Sequence, residues 1–272
     1  MSRLRKAAVY GILLFIAMLM VGPFLWTVST AFKGSEEVFA VPPRMFPEEW
    51  RLSNFSEVWN LLPFGTFAVN SLVVSVMAVV SNVLLASLAA YPLARMEFKG
   101  KRLAFLAILS TMMVPEQVIM IPIYRVCLRL GLLNTLAGVV FPFSVNAFGI
   151  FLMRQFYKSI PRDLDDAALI DGCSPLRIWW EILVPLSKPA IATLAVFTFV
   201  GAWSNFLWPL VILRDVEQFT LPVGLSYLVS TFSANYKFVA AAAVLTTIPV
   251  VVVFLLMQRY FIQGLLSGSV KS

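Results

Sequence analysis

The 272-residue sequence contains no histidine. That removes histidine-ligated zinc, a Ser-His-Asp triad and histidine proton relays from its chemistry. No G-x-x-x-x-G-K-[ST] run occurs, so there is no P-loop to cradle a nucleotide. Charged residues make up only 13% of the chain, against about 25% in a soluble domain. The two cysteines, Cys127 and Cys173, are too few for a disulfide framework. Internal repeats and low-complexity tracts are also missing.

What is present is apolar. Hydrophobic residues are 60% of the chain and its mean hydropathy is +0.87. A chain of this composition does not hide its apolar surface in one aqueous core, and it reads as an integral membrane protein. Six runs approach or exceed the roughly 20 apolar residues a spanning helix needs: 8–32, 67–93, 103–124, 132–156, 189–213 and 238–261. The expected fold is therefore all-α, a polytopic membrane protein with six transmembrane helices. Arg3, Arg5 and Lys6 precede the first run as they would in a signal peptide. The run is longer than a signal's apolar stretch of about 7–15 residues, so an uncleaved anchor is expected.

With both ends on one side of the membrane, that side carries fourteen of the 21 Lys and Arg residues and the other carries seven. The positive-inside rule makes the first side cytoplasmic. Cys127 and Cys173 then fall on opposite sides, and no disulfide between them is expected. The net charge of +7 sits at the ends of apolar runs rather than in one patch, which argues against a nucleic-acid partner. The segment 95–102, RMEFKGKR, reads as a turn against lipid headgroups. The outer loop 33–66 is acidic and proline-dotted, and its Trp50 and Trp59 suit the headgroup level. It reads as a solvated connector, with contact to an external partner as the alternative. Three regions follow: an N-terminal tail, first helix and outer loop over 1–66; a transmembrane core over 67–262; and a C-terminal cytoplasmic tail over 263–272.

One polar segment interrupts the core. Residues 162–185, RDLDDAALIDGCSPLRIWWEILVP, fall between the fourth and fifth runs, on the cytoplasmic side, within a loop covering 157–188. Pro161 suits the first turn of a helix. Asp163, Asp165 and Asp166 then lie near its positive end. Ala167 and Ala168 favour helix and add almost no bulk. Gly172 can end the helix in the left-handed conformation. Ser174-Pro175 reads as the cap and first position of a second helix ending near Pro185. The segment is thus helix, glycine turn, helix: a narrow Ala-Ala surface able to enter a partner's groove, then an apolar helix able to bind back to the membrane domain. An ordinary amphipathic connector is the alternative reading of the same residues.

Candidates for a solute path are fewer. Ser71, Ser75, Ala78, Asn82, Ala86 and Ala89 share one face of the second run, which suits close helix packing or a path lining. Glu116 follows Pro115 inside the third run, where a carboxylate must face protein or water rather than lipid; a position near the outer surface is the alternative. In the fifth run, Asn205 and Trp208 can share a face, whereas Trp203 and Asn205 cannot unless the helix is broken. Pro209 is expected to kink that run. No catalytic constellation and no metal site is legible.

The polar segment also resembles the loop of ATP-binding-cassette importer permeases, E-A-A, three residues, G, then about nine residues and I-x-L-P. Ala167, Ala168, Asp171, Gly172 and Pro185 fall on that pattern. Asp166 stands where Glu is usual, one methylene shorter, and Cys173 where Ala is common. Residues 112–135, 201–213, 219–225 and 258–272 resemble further segments of carbohydrate-importer permeases, so the likeness runs over nearly the whole chain. It points to the maltose-transporter-like permease subunit.

The resemblance implies a subunit without catalytic activity in a bacterial or archaeal cytoplasmic membrane. Its implied partners are a second, homologous permease, two cytoplasmic ATPase subunits, an external solute-binding protein and a sugar. ATP and Mg would be bound by the ATPase chains, and this chain would hold no cofactor. Asp166, Ala167, Ala168, Asp171 and Gly172 would form the coupling helix that docks on an ATPase. Two other classes compete with this one. An ion-coupled secondary transporter would be expected to carry intramembrane ionisable residues and repeated halves, and a membrane enzyme would need a carboxylate or Ser-Lys arrangement.

Overall fold

The structure is a computed structural model and describes residues 3–231 and 235–267. Helices dominate, and no strand occurs among the described residues. Val9–Ala31, Phe64–Arg95 and Tyr236–Leu256 are each long and apolar enough to cross a membrane. Three more candidates are helix pairs bent at a short break: Lys101–Met113 with Glu116–Arg129 at 102°, Leu136–Phe143 with Ala147–Ser159 at 50°, and Pro175–Leu186 with Lys188–Ser204 at 80°. The described residues therefore offer three candidate spans, or up to six if each bent pair is one span. The C-terminal tail expected over 263–272 lies partly outside the described residues, from 268 onward.

The breaks have local causes. Pro115 lacks an N–H, and Val114 before it is extended at φ −87°, ψ 118°, as a residue preceding proline prefers. Asn146 caps a fresh helix by accepting a hydrogen bond from the Gly149 N–H at 2.7 Å. The fifth run breaks at Asn205, which is extended, rather than kinking at Pro209. Pro209 stands in the first turn of the helix Leu207–Ile212, where its missing N–H costs little.

The chain divides into two compact units, Met1–Gly65 with Val223–Pro249, and Thr66–Pro222 with Val250–Ser272. In the first, the segment 33–65 folds onto the end of the first long helix. The buried Asn54 donates to the Ala31 and Lys33 carbonyls at 2.9 and 3.0 Å. Phe32 packs between Trp50 and Phe55, each at 5.1 Å. Lys33 is buried, its Nζ bonded to the Arg44 carbonyl at 2.5 Å and lying over the Trp26 ring. Ser29 donates to the Met45 carbonyl.

The second unit is organised around helix Phe64–Arg95. Its Ser71, Ser75, Ala78, Asn82 and Ala86 are buried, while Leu72, Val76, Val80 and Leu84 are exposed and apolar. Polar and small residues inside with apolar residues outside is the pattern of a lipid-facing helix. Near its end, Ala86, Ala90, Tyr91, Leu93 and Ala94 pack with Met153, Tyr157, Trp179, Leu183 and Leu194 in one apolar cluster.

Candidate functional site

Residues 163–186 form the helix, turn and helix read from the sequence. The first helix is Asp163–Ile170. Gly172 follows with φ +77°, a conformation that suits glycine because it has no Cβ. Ser174 caps the next helix, accepting from the Arg177 N–H at 3.4 Å, with Pro175 in its first position. The second helix begins as α over Pro175–Ile178, widens to π over Trp179–Leu183 and closes at Leu186. Pro185 cannot donate to the Glu181 carbonyl four residues back, and its ring crowds that oxygen, which widens the turn before it.

The two alanines of the first helix part company. Ala167 is exposed and Ala168 is buried, so the outward surface is Asp163, Asp166, Ala167 and Ile170, at spacing i, i+3, i+4, i+7. A two-alanine surface was expected; a single alanine on it follows from the roughly 100° between neighbouring helical residues. Ile170 is 86% exposed, and Asp171 and Gly172 continue the open surface.

The inward side is tied to the helix Phe64–Arg95. Trp179 Nε1 donates to Ser87 Oγ at 2.9 Å, and Ser87 shares a 2.7 Å hydrogen bond with the Tyr157 hydroxyl. Arg95 donates to the Ile160 carbonyl at 2.9 Å and forms an ion pair with Asp165 at 3.2 Å, both side chains largely buried. Burial pushes the Asp165 carboxyl above the ordinary carboxylate value, against the lowering pull of Arg95. Glu97, fully exposed, is held below its ordinary value by the hydrogen bond from Lys101 and then by Arg162.

A cavity of about 260 Å³ opens in the second unit. Its polar lining is Glu116, Asn146, Thr198 and Asn205, and its apolar walls include Val74, Ala78, Phe143 and Phe197. Asn205, the C-cap of Lys188–Ser204 and seven residues after Thr198 on the same helix side, reaches the cavity, while Trp203 stays buried against Phe199 at 5.6 Å. Glu116 arrives at the start of the helix Glu116–Arg129, just past the Pro115 bend. The structure thus brings Glu116 and Asn205 together.

Asn82 is fully buried behind the cavity. It donates to Thr198 Oγ1 at 2.8 Å and accepts from the Asn146 N–H at 3.1 Å, holding two lining residues. Trp208 is also fully buried, its Nε1 donating to the Gly138 carbonyl at 3.2 Å. Substituting Asn82→Leu removes two hydrogen bonds made from a fully buried side chain, each worth about 0.5–1.5 kcal/mol net. The expected result is a lower thermal midpoint for the detergent-solubilised protein. An unchanged midpoint would mean that Asn82 does not hold this wall.

Residues 82–267 match the family described as the binding-protein-dependent transport system inner membrane component. The chain belongs to that family. Among its relatives is the arabinooligosaccharides transport system permease protein AraQ of Halalkalibacterium halodurans, 36% identical over 94% of this chain and 93% of the relative. The sn-glycerol-3-phosphate transport system permease protein UgpE of Yersinia pestis is 36% identical over 85% of each. A crystal structure of a bacterial ABC transporter involved in import of the acidic polysaccharide alginate contains a chain with TM-score 0.83 and 28% identity, covering 96% of this chain and 99% of that one.

The resemblance read from residues 162–185 therefore identified the family, and this inner membrane component has the permease fold. Sequence reasoning missed Asn146, Thr198 and the Arg95–Asp165 pair. Asn146 could have been found as a helix cap ahead of a glycine three residues on. Arg95 and Asp165 stand 70 residues apart, and no local pattern links them.

Proposed function

We propose that this chain is one permease subunit of an ATP-driven importer that carries a sugar or oligosaccharide across the cytoplasmic membrane by alternating access. Relatives are named for arabinooligosaccharides and sn-glycerol-3-phosphate, and the solved relative imports alginate. One observation carries the reading: the family match extends over residues 82–267, which include the whole helix–glycine–helix segment and most of the cavity lining.

In this reading the chain has six spans, five of them in the core 67–262, with both ends of the chain cytoplasmic, and 157–188 is the coupling loop between spans four and five. Asp166, Ala167, Asp171 and Gly172 meet a groove of an ATPase subunit, and Ala168 supports them from behind. ATP and Mg are held by two such ATPase chains, which carry out the hydrolysis. A second, homologous permease completes the path, and an external solute-binding protein delivers the solute. The cavity is below the ~300–1,000 Å³ typical of a complete ligand pocket, as suits one wall of a shared site. Glu116 and Asn205 line that wall, while Asn82 and Trp208 brace it.

Coupling requires the ATP-bound and ATP-free ATPase to favour different permease conformations. The test is reconstitution of this chain with its partner permease, ATPase and binding protein in proteoliposomes. Sugar uptake that needs ATP and the ATPase is expected. Uptake by this chain alone, driven by an ion gradient, would replace the reading with a secondary transporter.

A further inference from the structure

We infer that Glu116 makes the cavity selective for uncharged carbohydrate over anionic carbohydrate, and that Asn205, Thr198 and Asn146 supply its hydroxyl-binding groups. The inference rests on the permease reading above and names the solute class for the same cavity.

The lining has one charged group. Glu116 contributes a carboxylate, and none of the other residues around the cavity is Lys, Arg, Asp or Glu. Thr198 and the amides of Asn146 and Asn205 offer both donors and acceptors, which match the mixed donor–acceptor character of sugar hydroxyls. A carboxylate accepts hydrogen bonds from two neighbouring hydroxyls but cannot donate to an anion. Phe143 and Phe197 add aromatic surface of the kind that packs on a sugar ring.

The apolar share of the wall sharpens the effect of charge. Val74, Ala78, Val139, Val140, Gly201 and Ala202 carry no polar side chain, and such a wall lowers the local dielectric below that of bulk water. Like charges in such surroundings repel more strongly than in bulk water. A solute carrying a carboxylate or phosphate would meet Glu116 with no cation in this wall to offset it. A neutral sugar meets no such barrier.

The test uses the complete importer in proteoliposomes. Arabinotriose, maltotriose and diacetylchitobiose are each paired with the analogue whose non-reducing terminal hydroxymethyl group is oxidised to a carboxylate, which keeps every ring. Uptake is compared at equal occupancy of the solute-binding protein, so that delivery does not set the ratio. Wild type is expected to import the neutral member of the transported pair faster. Glu116→Gln, nearly isosteric, is expected to raise the acid-to-neutral ratio about tenfold, the shift produced by roughly 1.4 kcal/mol of differential interaction. Asn205→Asp adds a second carboxylate to the wall and is expected to move the ratio the opposite way, which keeps the test open if one variant fails to assemble.

Equal uptake of acid and neutral forms by wild type, or a ratio unmoved in both variants, overturns the inference while leaving the permease reading intact. Failure of the wild-type complex to import any carbohydrate with ATP overturns both.

Discussion

Gly172→Asp is expected to abolish ATP-driven uptake while leaving the helices of the membrane domain folded. Gly172 sits at φ +77°, and a Cβ placed there meets nothing within 4 Å. The substitution therefore causes no core clash, and its effects are local. An L-residue in the left-handed conformation costs about 1–2 kcal/mol, enough to favour a turn that points the helix Asp163–Ile170 elsewhere. The new carboxylate also joins Asp163, Asp166 and Asp171 on the exposed side of the segment, changing the charge offered to an ATPase groove. Uptake and stimulation of ATP hydrolysis should both fall, and the ATPase should co-purify less well. Gly172→Asn separates the two causes, since Asn tolerates positive φ and brings no charge. Uptake retained in Gly172→Asn and lost in Gly172→Asp assigns the effect to charge at the docking surface. Full uptake and ATPase stimulation in Gly172→Asp would count against docking by this turn.

Helix character and the polar segment were legible in the sequence because both rest on local chemistry. Apolar run length marked the helical regions, and Asp163, Gly172 and Ser174-Pro175 marked the start, stop and restart of the segment. The bends were less legible. Pro115, Asn146 and Asn205 each end or begin a helix inside an apolar run, and a hydropathy pattern does not register a change of direction. At Asn205 the helix does break, the condition for Trp203 and Asn205 to share a pocket, yet the two still serve different surroundings: Asn205 lines the cavity and Trp203 packs on Phe199. Pro209 drew attention as the kink because proline is conspicuous, yet its place in a first turn makes it harmless. The cavity was legible only in part. Glu116 and Asn205 stood out as polar residues in apolar runs, whereas Thr198 and Asn146 joined them through long-range packing held by Asn82.

The largest loss of stability is expected from Arg95→Met. Arg95 and Asp165 have side chains only 5% and 16% exposed, and removing the cation leaves a buried carboxylate without its ion-pair partner. Breaking such a pair from one side costs about 3–5 kcal/mol, read as a drop in thermal midpoint and in yield of assembled complex. Asp165→Asn in the same chain removes the stranded charge and should restore part of the loss, so the double variant should be more stable than Arg95→Met alone.

The pH dependence has a definite sign. Burial already raises the Asp165 carboxyl, with Asp166 adding to it, and losing Arg95 removes the larger of the two opposing pulls, leaving only that of Arg162. A carboxyl raised on folding is unpenalised at pH below its unfolded value, and the penalty grows as pH climbs through the folded value. The gap between wild type and Arg95→Met should therefore narrow in acid and widen toward neutral pH, while the double variant shows no such trend. A gap independent of pH would place the loss in packing of the arginine stem instead.

Under the proposed function the same pair gives this position a part in transport as well as in folding. Arg95 ends the helix that carries Ser87, Asn82 and Ala78, and Ala78 lies 17 residues away, about 26 Å along the axis. Through Trp179–Ser87 and Asp165–Arg95 the segment is fixed to one end of that helix, and through Asn82 the cavity wall is fixed to its middle. In the proposed importer, a displacement of the segment by an ATPase would move the cavity wall as one body, because close-packed helices shift rather than deform. In Arg95→Met one of the two attachments is gone, and complexes that survive assembly should hydrolyse more ATP for each solute imported. A hydrolysis-to-uptake ratio equal to wild type would show that Trp179 and Ser87 suffice to carry the motion.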